Sequence, residues 1–249
     1  MAQTFQDRGD VIWQDAGVVA NYQVSSQTIP FVDIHFEIMH RLIEAAGIEA
    51  RNVLDLGAGN GIMTFEVAKR QPVERATLTE FSEPMIDLAR RRVAAGQPSF
   101  APTFIVGDFR ERDWQDEVVQ HGPYDLVVSR FAIHHIPDEH KRALYGDILG
   151  FLNPGGMFVH IEHVASASPM YNAAHDRLMV ECLHGAASGA EGFDEVLASY
   201  RMRADGPANI LAPVWDQLAW MRELGFVDVD CAFKSFELAV FAGRRPEGV

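Results

Sequence analysis

The chain has little that would tie it to an oxidising compartment, a membrane or a polyanion. Its 249 residues include only two cysteines, Cys182 and Cys231, with no C-x-x-C or zinc-ligand spacing, so neither a disulfide framework nor a structural zinc is expected. No run approaches the ~18 consecutive apolar residues needed to span a bilayer. The start, MAQTFQDRGD, lacks the basic and apolar regions of a secretory signal, so a cytoplasmic location without membrane association is expected. Positive charge is scarce: 21 Lys and Arg stand against 35 Asp and Glu, a formal net charge of -14. A long contact with a phosphate backbone is costly at that charge unless cations gather on one face. The one dense basic cluster, Arg90-Arg91-Arg92, falls at the end of an expected helix, where it complements the helix C-terminus. No nucleic-acid partner is therefore expected.

What is present is an alternation. From Val53 to His163, short β-rich apolar runs alternate with helical stretches, the pattern of an α/β fold with a mostly parallel sheet and helices on both faces. Strands are expected at Asn52-Leu56, Ala76-Glu80, Thr103-Val106, Tyr124-Ser129 and Met157-Glu162. Helices fall near Ile62-Arg70, Glu83-Ala95, Trp114-Gln120 and Asp138-Phe151, the last stopped by Asn153-Pro154-Gly155-Gly156. After a helix near Val214-Leu224, the runs Val227-Phe233 and Ser235-Ala242 are so close that they must pair as an antiparallel hairpin, completing seven strands. The chain is read as a single domain, residues 1–249. Residues 1–50 form a helical cover with Phe36, Met39, Leu42 and Ile43 at helical spacing, and 50–165 form a ligand-binding core. Residues 166–212 form a helical cap and 213–249 the closing helix and hairpin.

The segment Val53-Leu54-Asp55-Leu56-Gly57-Ala58-Gly59-Asn60-Gly61 is a strand running into a glycine turn and then a helix. Glycines there let the backbone turn sharply and admit a ligand without interference from Cβ. The dinucleotide fingerprint G-x-G-x-x-G would need glycine at position 62, which is Ile62, so the spacing is G-x-G-x-G. Glu80 ends the second strand, where a carboxylate can reach two ribose hydroxyls. Gly107-Asp108-Phe109 follows the third strand and offers a carboxylate and a ring to an adenine. All three landmarks lie at the carboxyl ends of successive strands, where such sheets bind ligands.

VLDLGAGNG, TLTEFSEPM, VGDF, YDLVVSRFAIHHI and LNPGGMFVHIEH resemble, in order and spacing, the motifs of class I S-adenosylmethionine-dependent methyltransferases. The resemblance covers about residues 50 to 165 and the terminal MRELGF with its hairpin. It implies a Rossmann-like fold and S-adenosyl-L-methionine as cofactor. It implies further that Gly57, Ala58, Gly59 and Gly61 border the methionine end, that Glu80 takes the ribose beside Phe81 and Met85, and that Gly107, Asp108 and Phe109 flank the adenine. Ser129 and Arg130 would lie near the methionine tail, and Asp55 would orient the loop or the amino group through water.

Methyl transfer from a sulfonium needs an in-line nucleophile and little else, so a base matters only for an acceptor that must lose a proton. His134 and His135, just after the fourth strand, are the candidates for that base. Glu162 and His163, at the end of the fifth strand on the same side, are expected to meet the acceptor. These four groups form a set of the kind that binds a divalent ion, but strand ends often carry solvated polar residues, and no metal is expected. His175 and His184, nine residues apart, read as surface or packing residues on one helix face. The Asn/Asp-Pro-Pro-aromatic motif of base and amide methylation is absent, its place being taken by Ser129-Arg130-Phe131-Ala132, which favours a small-molecule acceptor.

A wider resemblance, to carboxy-S-adenosylmethionine synthases, appears in Gln27-Thr28-Ile29-Pro30, in LNPGG and in MRELGFVDVDCAFKSFELAVF. It implies that Arg201 or Arg203 holds a carboxylate, which a guanidinium fork suits. The departure follows Pro30, where that family has Gly-Tyr and this chain has Phe31-Val32. The expected function is methyl transfer to a small molecule bearing a carboxylate or an aromatic ring. Other chemistry on the same cofactor, carboxymethyl formation or cyclisation, is the alternative. A non-catalytic binding module and an NAD-dependent oxidoreductase are further readings, the last weakened by Ile62, and a homodimer is the assembly kept open.

Overall fold

Apolar side chains alternate along the central strands, and this alternation fixes the layering. The computed structural model describes residues 8–25, 29–185 and 192–248, so Gln27 and Thr28 lie outside the described residues. In chain order the elements are α1 (Ala16–Ser25), α2 (Val32–Ala45), β1 (Asn52–Leu56), α3 (Ile62–Ala68), β2 (Arg75–Glu80), α4 (Glu83–Gly96) and β3 (Ala101–Val106). There follow α5 (Gln115–His121), β4 (Tyr124–Arg130), α6 (Asp138–Phe151), β5 (Leu152–His163), α7 (Pro169–His184), α8 (Phe193–Arg201), α9 (Val214–Leu224), β6 (Val227–Ser235) and β7 (Leu238–Arg244). One sheet has the order β3-β2-β1-β4-β5-β7-β6. Strands β1 to β5 pair in parallel, and β7 pairs antiparallel with both β5 and β6.

Leu54, Val127, Phe158 and Phe241 point to one face and pack with Tyr145 and Ile148 of α6 and Leu218 and Met221 of α9. Their neighbours Val53, Val128, Val159 and Val240 point to the other face and pack with Met39 and Ile43 of α2 and Met63 and Val67 of α3. This two-residue period is what a sheet covered on both faces requires. Helices α7 and α8 form a third, separate cluster around Val180, Phe193, Leu197 and Tyr200. Among the described residues no helix is long and apolar enough to cross a membrane. Cys182 and Cys231 are both free thiols.

Local chemistry explains most boundaries. Ser82 caps α4, its Oγ accepting from Met85 N at 3.3 Å, and Gly225 closes α9 with a φ of 104°. Phe31, with a φ of 65°, holds a left-handed conformation that favours glycine, ahead of α2.

Two expectations from sequence are corrected. Asn153-Pro154-Gly155-Gly156 does not separate α6 from a later strand, because β5 begins at Leu152. The reason is pairing with the chain end: Gly155 N donates to Arg245 O at 3.1 Å and Arg245 N to Gly156 O at 2.8 Å. The hairpin turn is also displaced. Strand β6 runs on to Ser235 and β7 starts at Leu238, which puts Phe236 and Glu237 in the turn rather than within a strand.

At the amino edge of the sheet one carboxylate ties three strands. Asp125 Oδ2 accepts from Arg51 N at 3.0 Å and Asn52 N at 2.9 Å, and Oδ1 accepts from Asn153 Nδ2 at 2.8 Å. Asp125→Ala is expected to cost about 1–3 kcal/mol in urea denaturation. Ligand affinity should stay unchanged, because this edge lies opposite the carboxyl ends of the strands.

Candidate active site

A cavity of about 550 Å3 opens at the carboxyl ends of the strands, the edge where an open α/β sheet receives its ligand. Its floor begins at the glycine turn after β1. Gly57 has a φ of +65°, and a Cβ there would meet the Cβ of Ala132 at 2.1 Å. Only glycine fits this point, while Gly59, with a φ of +53°, has open space in front of it. Glu80 fastens the turn: Oε2 accepts from Gly59 N at 3.0 Å and Oε1 from Ser82 N at 2.9 Å. Burial pushes this carboxyl above its usual range, against those hydrogen bonds. Phe81, Met85 and Gly107 line the cavity beside it.

Further along, Phe109 lines the cavity and packs on Trp114 with ring centroids 5.4 Å apart. Asp108 Oδ1 accepts from Arg110 N at 3.0 Å, and its second oxygen is ion-paired with Arg8. Arg8 in turn pairs with Asp10 at 2.6 Å. This stretch before α1 is seated by Gln14 Nε2 donating to Phe81 O at 2.8 Å and by Ser82 Oγ donating to Trp13 O at 2.5 Å. Arg130 also lines the cavity, its guanidinium 4.8 Å from the Phe131 ring centre and 5.6 Å from that of Phe36.

The far side carries two imidazoles, from the 3-10 turn Ile133–His135 after β4. The His134 and His135 ring centroids are 4.0 Å apart. His134 Nδ1 lies 2.6 Å from Glu162 Oε1, and His135 Nδ1 lies 3.0 Å from the carbonyl of Ala208. A carboxylate and a carbonyl only accept, so both rings carry their proton on Nδ1 and leave Nε2 bare. Neither Nε2 has a protein partner among the described residues. Burial, with His134 alongside, holds His135 well below its ordinary pKa, and burial lowers His134 against the pull of Glu162. Behind them a buried chain continues. Glu162 Oε2 meets His160 Nε2 at 2.9 Å, His160 Nδ1 meets Tyr145 Oη at 3.3 Å, and Tyr145 donates to Gln217 Oε1 at 2.5 Å. Burial opposes ionisation of Glu162, but the two imidazoles outweigh it and hold the carboxyl well below its usual range.

The structure brings Gly57, Ala58, Gly59, Glu80, Phe81, Met85, Gly107, Asp108, Phe109, Arg130, His134, His135, His163 and Arg203 to this one cavity. Five other expected site residues stand outside its lining. Asp55 is fully buried and accepts from Thr64 N at 3.1 Å and Thr64 Oγ1 at 2.8 Å, so it holds the first turn of α3. Gly61 ends the turn against Leu78 and Ala89. Ser129 Oγ is spent on Leu56 O at 2.8 Å. Glu162 has both oxygens engaged by histidines and acts through them. Arg201 turns toward α7, its Nε 2.6 Å from Asp176.

His175 is no surface residue. It is buried and lines the cavity, whereas the side chain of His184 lies outside the described residues. Arg8, Asp10, Trp13 and Tyr200 also reach the cavity and were missed in the sequence. No motif or periodicity marks them, since tertiary approach alone brings them there.

A glycine turn, an acidic end on the next strand and an aromatic-lined recess define a nucleoside-binding α/β protein of the Rossmann-like class. Residues 53–156 match the family model described as a methyltransferase domain. The carboxy-S-adenosyl-L-methionine synthase of Chromohalobacter salexigens is 28% identical over 194 residues, 76% of this chain and 66% of that protein. Among solved structures, an O-methyltransferase family protein from Burkholderia thailandensis superposes with a TM-score of 0.57 at 18% identity, covering 88% of this chain and 59% of that one. PigF with SAH superposes with a TM-score of 0.60 at 18% identity, covering 96% of this chain and 63% of that one. The chain is thus similar to S-adenosylmethionine-dependent methyltransferases, over residues 53–156 in sequence and over most of its length in fold, and the cofactor of those proteins is S-adenosyl-L-methionine.

Two predictions follow from this geometry. In calorimetry, Gly57→Ala should abolish binding of S-adenosylhomocysteine and Glu80→Ala should weaken it at least about tenfold, each losing the fastened turn. The second concerns pH. Burial, reinforced by the charge of Glu80, pushes the Asp55 carboxyl up to about 7 despite its bonds to Thr64. Between about pH 4 and 7 the folded chain therefore keeps a proton that the unfolded chain releases, and stability falls as pH rises through that window. Asp55→Asn should remove this slope, so wild type should lose a few kcal/mol more than the variant between those limits in urea denaturation.

Proposed function

We propose that the protein transfers the methyl group of S-adenosyl-L-methionine to a small molecule through an oxygen or nitrogen that loses a proton. The observation that carries this reading is the bare Nε2 of His134, backed by Glu162, facing the same cavity as the fastened glycine turn. The residues present fit the cofactor: Gly57 and Gly59 leave its approach clear, Glu80 offers a carboxylate, and Phe109 offers an aromatic face. When bound, the cofactor would supply an electrophilic methyl group on a sulfonium.

His134 accepts the acceptor's proton on Nε2, and Glu162 stabilises the imidazolium that forms. His135, held neutral by burial, orients the acceptor by accepting a hydrogen bond. Arg203, stacked 4.2 Å over the ring of Tyr200 with its Nε 3.4 Å from Asp205, has further guanidinium N–H groups to offer a carboxylate on the acceptor. Closure by the segment around Arg8 and Asp10 and by α7 and α8 keeps water from the sulfonium. The net charge of -14 supports a small acceptor over a nucleic acid. Similarity to the synthase, with Arg203 in the cavity, favours one second reading: carboxylation of the cofactor's own methyl.

Mass analysis of the spent cofactor tests the proposal. S-adenosylhomocysteine with an acceptor heavier by one methylene is the expected result. A heavier cofactor that keeps its methyl carbon would overturn it. His134→Gln should lower kcat by about 100-fold or more while leaving S-adenosylhomocysteine affinity near wild type. Arg203→Ala should raise the KM for a carboxylate acceptor about tenfold or more, with a smaller change in kcat.

A further inference from the structure

Beside the two catalytic imidazoles, a second group of side chains meets where β5, α7 and the β6–β7 turn converge. We propose that His163, His175 and Glu237 form a binding site for one divalent transition-metal ion, with its free coordination positions open to the cavity. The three ligand atoms all lie within 4.8 Å of one another. Glu237 Oε2 is 2.8 Å from His163 Nε2 and 3.6 Å from His175 Nε2. Donors held about 2.0–2.2 Å from one ion at tetrahedral to octahedral angles stand about 2.8–3.6 Å from each other, a range that both separations from Glu237 meet.

A plain hydrogen-bonded cluster leaves one ring unexplained. His175 is only 2% exposed, its Nδ1 has no hydrogen-bond partner, and its Nε2 lies beyond hydrogen-bond reach of Glu237. The ring is thus held deep in the fold with its Nε2 turned toward Glu237 yet too far for a hydrogen bond, a gap that an ion between the two would fill. The other oxygen of Glu237 is already oriented, accepting from Ser166 Oγ at 2.5 Å and Asn172 Nδ2 at 2.9 Å. Such outer hydrogen bonds aim a metal-binding carboxylate. His163 and His175 both line the cavity, which leaves the remaining positions facing it.

Two imidazoles and one carboxylate select zinc or iron(II) over magnesium or calcium, which prefer oxygen donors throughout. The sequence expectation of no metal rested on a different set, and Glu162 is indeed spent on His134 and His160. An ion here would take an oxygen of the acceptor as a further ligand. That last role rests on the proposed methyl transfer, whereas the site itself does not.

The test uses the full chain stripped with a chelator and titrated with Co2+. One equivalent should bind, with the visible spectrum of a four- or five-coordinate ion, and X-ray absorption should show two imidazole ligands. Zn2+ should displace it and Mg2+ should not. His175→Ala and Glu237→Gln should weaken Co2+ binding about 100-fold or more, and Asn172→Ala about tenfold. No Co2+ binding by wild type, a spectrum without imidazole ligation, or unchanged binding in the folded variants would each overturn the site. If a variant does not fold, the wild-type absorption spectrum decides alone. S-adenosylhomocysteine binding measured on the same stripped protein separates failure of the metal site from failure of the methyltransferase reading.

Discussion

The histidine-lined half of the cavity depends on one buried carboxylate, that of Glu162. An ionised carboxylate in an apolar interior costs several kcal/mol unless its lone pairs are filled. Here they are: His134 Nδ1 and His163 N meet Oε1, while His134 N and His160 Nε2 meet Oε2. Each bond places something. The two to His134 fix the ring and its tautomer, the one to His163 N fixes the end of β5, and the one to His160 fastens the group to Tyr145 and Gln217. Removing the carboxylate would leave several buried donors unpaired at once, and so would disturb far more than a single contact.

Glu80 does the corresponding work at the glycine turn, by a different balance. Both of its oxygens accept backbone N–H groups, yet the residue still faces the cavity. Asp55, one strand over, sits below the cavity and is spent on Thr64. The two carboxylates look alike in sequence, each near the end of an apolar strand. What separates them is depth: Asp55 precedes the end of β1 by one residue and points into the layer between sheet and helix, whereas Glu80 is the last residue of β2.

That difference shows what the sequence made legible. Strands β1 to β5 and the helices between them were readable because their apolar periods are short-range signals, and the glycine turn was readable because φ > 0 restricts residue choice. The hairpin register was not, since Ser235, Phe236 and Glu237 look as strand-like as their neighbours and only pairing with β5 decides where the turn falls. Arg201 and Arg203 could not be told apart because helix α8 ends between them: Arg201 sides with Asp176 while Arg203 stacks on Tyr200. Arg8 and Asp10 carried no pattern, for Arg8 reaches Asp108, about one hundred residues away, and Asp10 reaches Arg110.

Topology then explains why the end of the chain takes part in a site whose motifs all lie earlier. Strand β7 lies antiparallel to β5, with Leu238 opposite His163. The turn that precedes β7 must therefore lie at the carboxyl end of β5, on the edge where the cofactor turn opens. Glu237, in that turn, is buried there beside His163 and His175. Because β7 is inserted between β5 and β6, displacing the turn would break two ladders, which makes the position of Glu237 as firm as the sheet itself. His175 meets it from α7, a helix that otherwise packs mainly on α8. The proposed ligands thus come from the sheet and from α7, an arrangement in which an ion joining them would also fasten α7 to the sheet edge.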